Sequence, residues 1–90
     1  MIMLPRFGSL RTGGRQWASS INGDLLANDS IDLSAEDTLV LSQSFTDEAV
    51  KTLHERGIDV IRLHHVTSSL MLTDFTLAQH HHVTILNMDE

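Results

Sequence analysis

The spacing of apolar residues changes several times along the chain, and each change marks an element. Met1–Leu4 is apolar and precedes Pro5, which suits a short edge strand, because proline lacks the N–H that a central strand must donate. Phe7-Gly8-Ser9-Leu10 continues it through a bend, and Thr12-Gly13-Gly14 reads as a break with Thr12 placed to cap a helix. Trp17, Ile21 and Leu25 then fall at i, i+4 and i+8 with Ala18 beside them, which is one face of a helix. Gly23 weakens that helix by about 1 kcal/mol relative to alanine, and Asn28-Asp29 ends it in turn chemistry.

Ile31-Asp32-Leu33 alternates as a strand with one covered face does. Thr38-Leu39-Val40-Leu41 is a denser apolar run, the pattern of a strand buried on both sides. The polar Ser34-Ala35-Glu36-Asp37 lies between, so residues 31–41 are either two strands or one strand and a tight turn. Ser44 opens a helix in a capping arrangement with Asp47, and acids in its first turn suit the helix dipole. Phe45, Ala49, Val50 and Leu53 form the inward stripe, Lys51, Glu55 and Arg56 lie outside, and Gly57 stops the helix. Asp59–Leu63 is the next strand. Thr67-Ser68-Ser69 caps a third helix with Leu70, Met71, Phe75 and Ala78 inward, and Val83–Leu86 is the last strand.

Strands separated by helical stretches imply right-handed crossovers. The expectation is a single α/β domain over residues 1–90, with a small mixed, mainly parallel sheet of four to five strands packed by about three helices. The apolar runs starting at Leu39, Val60 and Val83 recur at a spacing that also fits an α/β repeat, so a repeat-like scaffold or fragment binding a partner is the rival architecture.

Composition narrows the function. Ninety residues with 41% hydrophobic and 20% charged content fit one globular core. The absence of cysteine removes disulfides, thiolate metal sites and cysteine nucleophiles. A net charge of −6 opposes general nucleic-acid binding, which needs a positive surface. All 12 acids follow residue 20 against Lys51, Arg56 and Arg62, while Arg6, Arg11 and Arg15 precede it with no acid, so the charge is unevenly placed. No apolar run approaches the roughly 18 residues of a membrane span, so a soluble cytoplasmic protein is expected.

At Ile31-Asp32-Leu33-Ser34 and Leu41-Ser42-Gln43-Ser44-Phe45-Thr46-Asp47-Glu48-Ala49 the chain resembles the STAS-like family, small relatives of the anti-sigma-factor antagonists. Phe7–Gly13 resembles that family's glycine-containing approach to its first helix, and Ile61-x-Leu63-x-x-Val66 and Val83-x-Ile85 resemble its last strands. The resemblance implies a non-catalytic regulatory domain that works by protein–protein contact. In the antagonists the partner is a histidine-kinase-like ATPase that phosphorylates a serine at a helix start. By position that serine is Ser44, with Ser42 its neighbour. Phe45 stands where the antagonists commonly carry a small residue. Ser42, Ser44, Phe45, Asp47 and Glu48 are therefore the candidate partner-binding or phosphoacceptor residues, on an acidic helix face with Glu55 where a basic partner would dock. A homodimer through an open sheet edge or helix face is a further expectation.

Six histidines are many for this length. If His80 and His82 lie in a strand, their rings share a face with His64 at a neighbouring strand end, and the three would suit zinc or nickel. A histidine-based metal-binding protein is thus the third reading, although HExxH is missing and no cofactor is expected. Ser42 or Ser44 with a histidine and Asp32 or Asp37 would be needed for hydrolytic chemistry. No Gly-x-Ser-x-Gly, phosphate loop or dinucleotide fingerprint accompanies them, so no enzyme activity is expected.

Overall fold

The alternation at Ile31-Asp32-Leu33 sets the two faces of the sheet. In the computed structural model, which describes residues 1–26 and 28–89, the chain runs β1 (Ile2–Met3), β2 (Phe7–Gly8), α1 (Arg11–Ser20), β3 (Ser30–Ser34), β4 (Val40–Leu41), α2 (Gln43–Glu55), β5 (Val60–His64), α3 (Ser69–Leu77) and β6 (Thr84–Asn87). Short 3-10 turns occupy Gly23–Leu26 and Ala78–His81. The α/β class is as the pattern predicts. Four strands form one sheet in the order β1-β3-β5-β6, with β2 and β4 paired apart, and every pair is parallel. Ile31, Leu33, Ile61 and Leu63 are buried, whereas Asp32, Arg62 and His64 on the alternate positions remain partly exposed. One face of the sheet is therefore the core, and the other, which carries Asp32, Arg62 and His64, is open.

The region 31–41 contains two strands, but β4 belongs to the side ladder rather than the main sheet. Phe7 registers with Val40 and Gly8 with Leu41. Only Leu41 faces the core, and Leu39 and Val40 are exposed, contrary to the doubly buried strand predicted. The recurrence that prompted the repeat reading therefore links elements of different ladders. Strands of the main sheet do follow sequence order, but they begin unevenly, at Ile2, Ser30, Val60 and Thr84.

α2 is the most enclosed helix. Phe45, Ala49, Val50 and Leu53 are buried as predicted, and Thr46, Glu48 and Thr52 join them. Among the described residues, the Thr46 and Thr52 hydroxyls are buried without a hydrogen-bond partner. The helix closes as Gly57 demands. Ile58 N donates to Leu53 O at 3.0 Å and Gly57 N to His54 O at 2.9 Å, with Gly57 at φ +98°. This is the Schellman pattern, in which a residue without a Cβ turns left-handed so that the last carbonyls are satisfied.

Gly13 and Gly14 lie inside α1, not in a break, and Thr12 is helical rather than capping. The reason is tertiary. A Cβ on Gly14 would stand 2.2 Å from Phe45 O and 3.2 Å from Ala49 N, and one on Gly8 would stand 2.6 Å from the Phe45 ring. Removing side chains here lets α1 and β2 approach α2 closely, with Trp17 meeting Phe45 at a ring-centroid distance of 6.3 Å. α1 ends at Ser20, so Ile21 is buried just beyond it, and Leu25 falls on the 3-10 turn, exposed. Leu70 is likewise exposed, because Met71 and Phe75 take the inward phase of α3.

Gly14→Ala is therefore expected to destabilise the fold by about 2–3 kcal/mol, the cost of overpacking against backbone that has no rotamer to yield. Gly23→Ala, whose Cβ meets nothing within 4 Å, is expected to change stability by less than about 1 kcal/mol. Urea unfolding of the two variants beside the parent checks the contrast.

Candidate partner-docking site at the start of α2

The β2–β4 ladder delivers the chain to α2. Ser42 N donates to Gly8 O at 2.7 Å, which holds Ser42 extended, and its hydroxyl accepts from Phe45 N at 3.0 Å. The same hydroxyl donates to Ser9 O at 2.8 Å. Ser42 is thus the N-cap, two residues before the predicted Ser44, because a long-range ladder rather than local propensity decides where the helix begins. Ser44 lies in the first turn with an exposed side chain. Asp47 and Glu48 fall beyond that turn and do not act on its dipole as supposed.

Phe45 is buried between Gly8, Gly14 and Trp17, so it organises the core and offers no surface to a partner. Glu48 is also buried, against Arg11. Arg11 Nη1 donates to Glu48 Oε2 and to Asp47 Oδ2, each at 3.1 Å. The other Asp47 oxygen, Oδ1, lies 2.9 Å from both His80 Nε2 and His81 Nε2. Burial pushes the Asp47 carboxyl up, but hydrogen bonds from His80, Arg11 and His81 outweigh it and hold the group below its usual range. One carboxylate thus ties α1, α2 and the turn after α3 together.

The predicted histidine trio does not assemble. His80 sits on a 3-10 turn rather than a strand, and His82 takes a left-handed conformation at φ +69° that ends the turn. His64 is engaged elsewhere, 2.8 Å from Asp32 Oδ1, and Arg62 holds both Asp32 oxygens at 2.9 and 3.0 Å. Arg62 first and His64 second keep the Asp32 carboxyl far below the usual range. Asp32 and Ser42 therefore serve separate networks, not one hydrolytic constellation. Asp37 stays exposed beside Glu36.

Part of the exposed apolar surface lies next to this helix start. Phe7, Leu39, Val40 and Leu70 are exposed by 65%, 58%, 58% and 68%. Leu39, Val40 and Leu70 line a shallow groove of about 110 Å³ with Leu41, Ser68 and Met71. On its other side Leu39 borders a larger hollow of about 590 Å³ formed with Met3, Leu4, Arg6, Glu36 and Asp37. Sequence reasoning placed Leu39, Val40 and Leu70 in the core and so missed this surface. Their excess over what one face of each element can bury was the available signal.

No family model, curated protein or solved structure matches the chain.

Ser42→Ala is expected to cost about 1 kcal/mol of stability through the lost cap, while Ser44→Ala is expected to be nearly neutral, in denaturant titrations. Burial raises the Asp74 carboxyl on α3 above its usual value, so its neutral form is favoured by folding. That contribution is present below the unfolded pKa and is lost as pH rises through the folded one. Asp74→Asn is expected to raise the unfolding midpoint at pH 7, and the gain should vanish below about pH 4.

Proposed function

We propose that the chain is a non-catalytic regulatory domain that acts by contact with a protein partner at the start of α2. The observation that carries this reading is the collection of Phe7, Leu39, Val40 and Leu70, all exposed, around the ladder that presents Ser42 and Ser44. Contiguous exposed apolar surface is uncommon on a monomeric globule and marks contact surfaces. Arg6, stacked 5.9 Å from the Phe7 ring centroid, and the carboxylates Glu36 and Asp37 give it a charged rim.

The resemblance at Leu41–Ala49 and Ile31–Ser34 supports a partner-switching role with a histidine-kinase-like ATPase, acting in the cytoplasm. In that reading Ser44 is the phosphoacceptor, since its side chain is exposed while the Ser42 hydroxyl is engaged at the cap. A phosphate on Ser44 would sit in the first turn of α2, where the helix dipole favours negative charge. The sheet edges β1 and β6 are where a second copy would add.

Purified protein, Leu39→Asp with Val40→Asp, and Ser44→Asp would be compared in a pull-down from native-host lysate read by mass spectrometry. Light scattering at several concentrations would report self-association. The expected result is one partner retained by the parent and lost with the charged variants while circular dichroism stays unchanged. Binding indifferent to all three changes would remove the proposed surface.

A further inference from the structure

The Asp47 cluster has a geometry that hydrogen bonding alone does not require. Neighbouring residues on a 3-10 turn point roughly 120° apart, yet the consecutive His80 and His81 turn their Nε2 atoms to one carboxylate oxygen, with ring centroids 3.8 Å apart. One nitrogen from each ring and one Asp47 oxygen lie within 4.8 Å of one another. The two Oδ1–Nε2 separations of 2.9 Å approach the edge, about 3.3 Å, of a tetrahedron built on metal–ligand bonds of about 2.0–2.1 Å. Opening each by a few tenths of an ångström would admit an ion between the three atoms.

We propose that Asp47, His80 and His81 bind a divalent transition ion of the zinc class, one per chain. Two imidazole nitrogens and a carboxylate oxygen are the donors such an ion prefers, and three protein ligands leave a position for water or an external ligand. His80 is 64% exposed on its side chain, so that position opens to solvent, while His81 and Asp47 are mostly covered and held in place. With neutral imidazoles the cluster has two carboxylates, Asp47 and Glu48, against the single guanidinium of Arg11, which favours a cation. Arg11 stays on the second Asp47 oxygen and orients the carboxylate from outside the donor set. Bound ion would lock α2 to the turn after α3 through two elements far apart in sequence.

Untagged protein would be titrated with zinc chloride by calorimetry at neutral pH. The expected result is saturation at one ion per chain with micromolar affinity, together with a higher melting temperature. Asp47→Asn and His81→Ala should each weaken binding by more than about 100-fold, since losing a mere outer partner already costs about 10–100-fold. His82→Ala and His65→Ala should leave affinity unchanged. Long-range nitrogen–proton spectra of the unsubstituted protein keep the test decisive if a variant misfolds, and the Nε2 signals of His80 and His81 should move on adding zinc. Dissociation constants of about a millimolar or weaker, equal loss with His82→Ala, or unmoved His80 and His81 signals would overturn the assignment.

Discussion

The close approach of α1 and β2 to α2 is the constraint from which the other arrangements follow. Gly14 lies against the Phe45 carbonyl and Gly8 against its ring, so no side chain separates these elements. Phe45 then fills the space that the glycines leave, and Trp17 covers it. Because β2 must lie beside α2, it pairs with β4 and not with the main sheet. That pairing fixes Ser42 as the first capping residue and pushes Leu39 and Val40 outward. The exposure of Leu39 and Val40 beside the helix start thus follows from how closely these elements pack.

A second tie reinforces the first at the polar rim. Arg11 reaches from α1 to Asp47 and Glu48, and Asp47 reaches on to His80 and His81. Each bond is partly exposed, so the stability gained from any one is modest. Their value lies in position: three elements distant in sequence are brought into register around one carboxylate. The Asp32–Arg62 pair does the same between β3 and β5 on the open face of the sheet.

What could be read from sequence was whatever local pattern decides. The inward stripe of α2, the stop at Gly57, a cap within Thr67-Ser68-Ser69, the alternation of β3 and the strand at β5 all rest on neighbours within a few residues, and all are found. The misplacements share a different cause. Gly13 and Gly14 have low helix propensity, and only the α2 backbone beside Gly14 shows why that position carries no side chain. Ser44 looked like a cap because the ladder that makes Ser42 one spans more than thirty positions. The strand geometry that would align His80 and His82 is not met, because the chain turns after α3 with no local stop signal before the left-handed His82. Of the candidate contact residues, Ser44 is exposed and Asp47 partly so, and the apolar part of the surface was illegible because it arises from long-range pairing.

The uniformly parallel sheet has a kinetic consequence. Parallel neighbours are joined by crossovers, so Ile2 meets Leu33 and Ile31 meets Ile61 only after long intervening segments are ordered. No hairpin is present among the described residues to nucleate the sheet locally, and loop-closure entropy falls due before any ladder bond repays it. α2, with its stop at Gly57 and its inward stripe set by near neighbours, is the segment best able to form early, and its cap at Ser42 is completed when β2 and β4 pair. The strands are then the late elements of folding, and their edges are the parts of the chain left longest without partners.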